Sequence, residues 1–138
     1  MTIKLDVITA ERVVFSDEVE EVLVPGAEGQ LAILPHHAPL MTLLEPGELW
    51  IKKAGAAICL ALGGGYLEVS RDGIIILADA AERAEEIDVA RAESAKIHAQ
   101  ERLRHVGYGM DRDEAEAALR RALARLEVVS IRGKRPPI

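Results

Sequence analysis

The chain has 138 residues, with 17 Lys and Arg against 23 Asp and Glu and a formal net charge of −6. This length is typical of one domain, or of a small domain with an appendage. The acidic balance argues against a general nucleic-acid binder, and the single cysteine excludes a disulfide framework or a Cys-rich zinc site. Neither a signal peptide nor an apolar run of the roughly 18 residues that a membrane span needs is visible, so we expect an intracellular soluble protein.

The two parts of the chain differ in charge and composition. Residues 1–80 carry 5 basic and 12 acidic groups, whereas residues 81–138 carry 12 basic and 11 acidic groups. The first part is rich in Val, Ile, Leu and Gly, and the second in Ala, Arg and Glu, which are strong helix formers. We therefore predict an α+β protein: a β-sandwich over 1–84, a helical hairpin over 85–131 and a disordered tail over 132–138.

The first part predicts short strands separated by turns. Apolar Ile3, Leu5 and Val7 alternate with polar residues, which is the period of a half-buried strand. Asp72-Gly73 between apolar runs predicts a hairpin. Further apolar segments lie at 22–24, 31–33, 49–51, 58–62, 67–69 and 74–77. Turn residues recur about every ten positions, which is typical of an all-β sandwich.

The second part predicts two helices that are separated by residues 107–109. Asp88 can cap the first helix, which should run to about His105, and Asp111 with Glu114 has capping-box spacing in the second. A narrow apolar stripe follows on the second helix at Ala115, Leu119, Ala122, Leu126 and Val129. The short link favours an antiparallel hairpin, and its Ala-rich seam buries little area. We expect this hairpin to be weakly held and able to detach.

Three features that suggest chemistry have simpler structural interpretations. Adjacent His36 and His37 point apart on an extended chain and lack further ligands, so a surface loop is favoured over a metal site. The glycines at 63–65 lack the residues of a phosphate loop, which favours a backbone crossing or bulge between strands. Cys59 lies in an apolar run and fits a buried small hydrophobe. We predict no catalytic residues and no metal ligands.

The arginines are more informative. Arg121 and Arg125 share a helix face, and a hairpin that turns near residue 108 places Arg91 opposite Arg125, beside a helix N-terminus. Three converging guanidiniums would favour a phosphate chain. The alternative is structural ion pairing with the nearby carboxylates of Glu82, Glu85, Glu86 and Asp88.

The C-terminal end of the chain is basic. Residues 117–138 hold six basic groups and one acidic group. This end could face an acidic partner surface, or it could be a solvated basic tail.

Three stretches resemble a known family. Residues 24–40 are the most specific, and residues 63–69 and 76–83 support them. Along nearly its whole length the chain resembles the epsilon subunit of the F-type ATP synthase, including the order of sandwich and Ala-rich hairpin. Two positions depart from the family pattern, with Leu31-Ala32 in place of Leu-Gly and His36-His37 in place of Gly-His.

The resemblance implies a non-catalytic rotor subunit at the foot of the central stalk. The sandwich would touch the gamma subunit and the polar loops of the c-ring, and the family loop that matches 26–39 makes Gln30 and His37 the candidates for ring contact. It implies a peripheral location on the cytoplasmic face of the bacterial cell membrane, or alternatively at the chloroplast thylakoid. The membrane would be reached only through the complex.

The resemblance also implies a hairpin that switches between folded and extended states. Extended, it would contact an acidic segment of the catalytic beta subunit and block ATP hydrolysis. The candidate contact residues are Arg120, Arg121, Arg125 and Arg132. A weakly held hairpin suits such a switch, because two states interconvert only if their free energies lie close together.

Some family members bind ATP at the folded hairpin through Ile/Leu-Asp-x-x-Arg-Ala, which residues 87–92 match. The nucleotide-binding candidates are Glu82, Ile87, Asp88, Arg91, Ala92, Arg121 and Arg125. His98 replaces one basic residue of that site. ATP would be regulatory and not hydrolysed, and no cofactor is required. The alternative functions are a stand-alone nucleotide-sensing β-sandwich protein and a small hydrolase or metal enzyme.

Overall fold

A computed structural model describes residues 1–107, 109–131 and 137 of the chain. Strands come first and helices last, which confirms the predicted fold class. The strands are β1 (Ile3–Ile8), β2 (Val13–Val19), β3 (Glu21–Gly26), β4 (Gly29–Ile33), β5 (Leu40–Lys53), β6 (Ala56–Ser70), β7 (Gly73–Ala78) and β8 (Ala81–Arg83). A 3-10 turn (Ala84–Glu86) leads into helices α1 (Val89–His105) and α2 (Met110–Ser130). Neither helix is long and apolar enough to cross a membrane, a finding limited to the described residues.

The two longest strands hold the sandwich together. The strand order is β2-β1-β7-β6-β5-β3-β4, with β8 also paired to β6. Residues 65–70 of β6 pair with β7, and residues 60–62 pair with β8. Only the β1–β7 pairing is parallel among the described strands. Because β5 and β6 run through both halves of the sandwich, they join strands that the sequence places far apart.

The run of glycines lies inside β6. Gly63 pairs with Pro46, and Gly64 and Gly65 have φ of +103° and +151°. A Cβ at Gly65 would collide with the carbonyl oxygen of Leu77 on β7. The close backbone approach expected at these glycines is present. The glycines lie within a single strand, however, and not between two strands.

The core is aliphatic, as the composition predicts. Its fully buried large side chains include Leu5, Ile33, Leu49, Ile51, Leu60, Leu62, Leu67, Ile74 and Ile76. The predicted alternation is clear in β7, where Ile74 and Ile76 face inward while Ile75 and Leu77 face outward. Strand β2 was not among the predicted segments, because polar residues interrupt its apolar pattern.

The two helices begin in different ways. Asp88 caps α1 as predicted, since its Oδ1 accepts a hydrogen bond of 3.0 Å from the backbone N–H of Arg91. The capping box predicted for α2 is wrong, because Gly109, with φ of +118°, occupies the N-cap position and makes no side-chain cap bond. Asp111 therefore lies within the first turn of α2, and Glu114 instead pairs with Arg121 on the same helix.

Helix α2 lies between α1 and the sandwich, where it packs on β5 and β6. Small side chains are buried along the hairpin, at Ala92 and Ala99 of α1 and at Ala115, Ala122, Ala124 and Val128 of α2. Of the predicted stripe, only Ala115 and Ala122 are fully buried, whereas Leu119, Leu126 and Val129 are half-buried. A seam of alanines buries little apolar area, so hydrophobic burial contributes little to the interface within the hairpin.

A small apolar cluster fastens α2 to the sandwich. Val128 packs there with Ala61 of β6 and Ile87 of the linker. Cys59, Ala84 and Val129 are partly buried against the same cluster. This cluster is separate from the sandwich core, so the hairpin has its own limited hydrophobic attachment.

Candidate functional site

A cleft of about 500 Å³ opens where the sandwich, the linker and both helices meet. Strand β8 contributes Glu82, the 3-10 turn contributes Glu86, and α2 contributes Arg125. Helix α1 begins at the cleft, so its cap and first turns supply the remaining lining, which is Asp88, Arg91, Ala92 and Ala95. The cleft therefore combines two guanidiniums with the N-terminus of a helix, and both features attract anions.

The two arginines of the cleft differ in their partners. Arg125 donates from Nε to Glu82 Oε1 at 2.6 Å, and both side chains are only 29% exposed. The guanidinium of Arg91 has no carboxylate partner among the described residues. Structural ion pairing thus accounts for Arg125 but not for Arg91, which makes no ion pair with the three carboxylates that share the cleft, Glu82, Glu86 and Asp88.

Glu86 is engaged in holding the linker. Its Oε1 accepts the backbone N–H of Arg83 at 3.0 Å, and its Oε2 accepts the Arg12 guanidinium at 2.6 Å. The hydrogen bond from the Arg83 backbone, followed by the contact with Arg12, lowers the pKa of Glu86 from its ordinary value. Ionised Glu86 therefore links the 3-10 turn to the sandwich through Arg83 and Arg12, and it does not neutralise Arg91.

Five of the seven predicted nucleotide-binding residues line the cleft: Glu82, Asp88, Arg91, Ala92 and Arg125. Ile87 does not line it, because its side chain is buried against Ala61 and Val128. Arg121 lies outside the lining as well, since its stem approaches Gly63 and its guanidinium pairs with Glu114 Oε1 at 3.4 Å. Arg121 and Arg125 share a helix face, but one helical turn carries Arg121 toward the link between the helices.

The predicted ring-contact residues lie on separate parts of the sandwich. Gln30 is exposed near the turn between β3 and β4. His37 follows β4, with Nδ1 at 2.7 Å from the Ala38 carbonyl oxygen, and it lines a second cleft of about 470 Å³ together with Lys4 and Arg71. The neighbouring His36 has φ of +67°, a left-handed conformation that is uncommon for a residue other than glycine. Gln30 does not share the cleft of His37.

Three of the four arginines predicted to contact a partner are already paired. Arg120 Nη1 lies 2.9 Å from Glu45 Oε2 of β5, in addition to the pairs of Arg125 with Glu82 and of Arg121 with Glu114. The fourth, Arg132, lies outside the described residues, as does most of the predicted disordered tail. With the hairpin docked, the basic face of α2 is therefore largely satisfied from within the chain.

An apolar row on the outer face of the sandwich escaped the sequence analysis. It consists of Leu43, Tyr66, Leu77, Ile8 and Val13, each directly opposite the next across five strands. Leu43, Leu77 and Val13 are 63%, 53% and 58% exposed. Contiguous exposed apolar surface on a sheet is a typical partner site. Apolar residues at outward-facing positions of the alternating strands were the available signal in the sequence. The strand register is needed to see that they form one row.

Other chemistry is not supported within the described part of the chain. No group of three or more His, Cys, Asp or Glu among those residues could hold a metal ion. Cys59 is half-buried, and burial raises the pKa of its thiol to about 12, so it is a protonated and weakly nucleophilic group.

Comparison with known proteins agrees with this architecture. The family model described as the ATP synthase delta/epsilon chain beta-sandwich domain matches residues 2–84, and the one described as the long alpha-helix domain matches residues 85–130. A β-sandwich joined to such a helical domain defines a class of ATP synthase subunits. The chain belongs to the ATP synthase delta/epsilon chain family, and the predicted likeness to the epsilon subunit is confirmed.

Individual relatives agree along the whole length. An ATP synthase epsilon chain from Dehalococcoides mccartyi is 53% identical, with 99% of this chain and 98% of the relative covered. One from Herpetosiphon aurantiacus is 48% identical, with coverages of 98% and 99%. A chain in the mitochondrial ATP synthase of Euglena gracilis shares the fold, with a TM-score of 0.78 at 23% identity over 94% of this chain and 81% of that one. These relatives support the prediction of a subunit and not of an enzyme in its own right.

Proposed function

We propose that this protein is the non-catalytic central-stalk subunit of a proton-translocating F-type ATP synthase. In this role it couples the gamma subunit to the c-ring and inhibits ATP hydrolysis through α1 and α2. Family membership along nearly the whole chain supports the assignment. The single observation that carries the coupling role is the exposed apolar row on the sandwich, because a subunit that transmits torque needs a firm contact surface.

The apolar row is the proposed docking surface for gamma. Met41 and Ile75, which are 62% and 41% exposed, flank it and widen the patch. Burial of such side chains removes apolar area from water and so favours association. Gln30 and His37, at other points of the sandwich, remain the proposed contacts with the c-ring.

Substitution within the row tests the gamma contact. Leu77→Asp should weaken binding to purified gamma at least about tenfold, because an ionised carboxylate would be buried without a partner. Leu43→Asp is a second variant from another strand, and Ile97→Asp on α1, also exposed, is the matched control. Titration by fluorescence anisotropy measures each affinity. Equal affinities for Leu77→Asp and Ile97→Asp would refute the assignment of this surface.

We also propose that the cleft at the start of α1 binds ATP as a regulatory ligand. Arg91 is free to receive phosphate oxygens, and Arg125 can be drawn from Glu82 toward a polyphosphate. Because Arg91 and Arg125 lie on different helices, a ligand held by both would favour the docked hairpin. The stabilisation follows RT ln(1 + [L]/Kd) for a ligand that binds one state only.

Calorimetric titration with ATP tests this site. The wild-type protein should show saturable binding that Arg91→Ala abolishes. Arg104→Ala is the matched control, since Arg104 lies on α1 outside the cleft and pairs with Glu101. An absence of binding up to millimolar ATP would reduce the cleft to an ion-paired joint and leave the stalk role intact. ATP binding without affinity for gamma would instead favour a stand-alone nucleotide sensor.

The inhibitory role concerns the arginines of α2. Released from the sandwich, Arg120, Arg121 and Arg125 would present a basic face to an acidic segment of the beta subunit, with Arg132 beyond the helix. The protein would act peripherally at the cytoplasmic face of the bacterial cell membrane, held there by the complex. ATP hydrolysis by the catalytic head should fall on addition of this chain, and the triple substitution of these helical arginines by Gln should relieve the inhibition.

A further inference from the structure

The ion pairs on the basic face of α2 are of two kinds. Arg120 with Glu45 and Arg125 with Glu82 join the helix to the sandwich, at 2.9 and 2.6 Å. Arg121 with Glu114 lies within α2 and moves with it. Only the first two pairs must therefore break when the hairpin leaves the sandwich.

The two pairs that join the helix to the sandwich have different surroundings. Glu82 and Arg125 line the cleft beside α1, where a ligand would also act on them. Glu45 lies on β5, and neither it nor Arg120 lines that cleft. The side chains of Arg120 and Glu45 are 51% and 42% exposed, so this pair is modest in strength and open to exchange.

We propose that Glu45 is an internal competitor for Arg120 and thereby sets how readily the hairpin is released to an acidic partner surface. This inference rests on the proposed function, in which α2 serves such a partner. Donors committed to Glu45 are not available to a partner's carboxylate, so release is an exchange of carboxylates. Because the apolar attachment of α2 is small, even a modest pair shifts the balance between docked and released states.

The chain carries its own reporters for this balance. Cys59 is its single cysteine and packs on the cluster formed by Ala61, Ile87 and Val128 under α2. Release of α2 uncovers the thiol, so the rate of Cys59 modification by a thiol reagent measures the released fraction. The backbone amides of β1 and β7, which pair with each other away from α2, report unfolding of the sandwich through their hydrogen exchange. The two signals separate release of the hairpin from loss of the whole fold.

Glu45→Gln in the full-length chain is the test, and Glu114→Gln is the matched control. Both remove one carboxylate that pairs with an arginine of α2, but only the first joins α2 to the sandwich. Glu45→Gln should raise the Cys59 labelling rate about two- to fivefold, in keeping with an exposed ion pair, while Glu114→Gln should leave it unchanged. The hydrogen-exchange protection of the β1 and β7 amides should be the same in both. Equal labelling rates for the two variants would overturn the proposal.

Charge reversal and an acidic probe complete the experiment. The double variant Glu45→Arg with Arg120→Glu should return labelling to the wild-type rate, and a rate that stays high would count against the pair. A synthetic Glu-rich peptide should accelerate labelling more in Glu45→Gln than in wild type, whereas equal acceleration would contradict competition. Failure to bind gamma or ATP would reject the proposed function without altering these labelling rates, so the two failures are distinguishable.

Discussion

Replacing Val128 with alanine should release the hairpin while leaving the sandwich folded. Val128 is 1% exposed and joins α2 to Ala61 and Ile87. The substitution removes two methyl carbons, which costs about 1.6 kcal/mol at roughly 0.8 kcal/mol per buried carbon. A residual cavity raises the cost toward about 2.5 kcal/mol. At about 1.4 kcal/mol per factor of ten, the ratio of released to docked hairpin should rise roughly 15- to 60-fold.

The Cys59 labelling rate under native conditions measures this ratio, and hydrogen exchange of the β1 and β7 amides measures the stability of the sandwich. Val89→Ala on α1 is the matched control, because it removes the same two methyl carbons from a side chain that is 44% exposed. If Val128→Ala labels at the rate of Val89→Ala, the small apolar cluster does not hold the hairpin. A parallel fall in the hydrogen-exchange protection of the β1 and β7 amides would show instead that the hairpin and the sandwich unfold as one unit.

Two further predictions concern the sandwich and its linker. Gly65→Ala should destabilise the sandwich by about 2–4 kcal/mol in urea unfolding, because Gly65 has a positive φ and an added Cβ would clash with Leu77. The control Gly55→Ala should cost only about 1 kcal/mol, because Gly55 has φ of +80° but open space around it. Equal losses of stability in the two variants would refute the clash. The pKa of Glu86 is lower in the folded than in the unfolded chain, so ionised Glu86 stabilises the fold. This stability is fully present above the unfolded pKa and is lost as the pH falls through the folded pKa. The unfolding free energy of Glu86→Gln should therefore fall less steeply at acid pH than that of the wild type.

Local patterns predicted the parts of this molecule that depend on neighbours in sequence. Alternation located β1 and β7, and the position of Asp88 located the start of α1. The Ala-rich composition indicated two helices that meet along alanines, and alanines are indeed buried along the hairpin. Each of these features follows from the period of side chains or from a hydrogen bond that spans three residues.

Features that depend on distant pairing were missed or misjudged. The apolar row requires the register of Leu43, Tyr66 and Leu77, and alternation specifies which residues share a face but not which strands are neighbours. Within β6, Gly63 lies opposite Pro46 of β5, a pairing that the sequence alone does not reveal. The capping box at Asp111 failed because Gly109 supplied a backbone conformation that a pattern of polar residues does not reveal.

The nucleotide candidates show the same division. Asp88, Arg91 and Ala92 are close in sequence, and they come together at the start of α1. Arg125 joins them because antiparallel packing brings the end of α2 beside the start of α1. Arg121 shares a helix face with Arg125, yet its approach to Gly63 directs it toward the sandwich. The spacing of four residues shows that Arg121 and Arg125 share a face of α2. The rise of one helical turn between them decides that only Arg125 reaches the cleft.

The layered order of the helices implies that the hairpin opens in two stages. Because α2 rather than α1 packs on β5 and β6, α1 can peel away while α2 stays seated. That first movement separates Arg91 from Arg125 and dismantles the cleft, yet leaves Arg120 on Glu45. The bonds of Glu86 to Arg12 and Arg83 anchor the linker, so α1 would pivot at residues 87–88. Such an intermediate would lose the proposed nucleotide site before Arg120 of α2 becomes available to a partner.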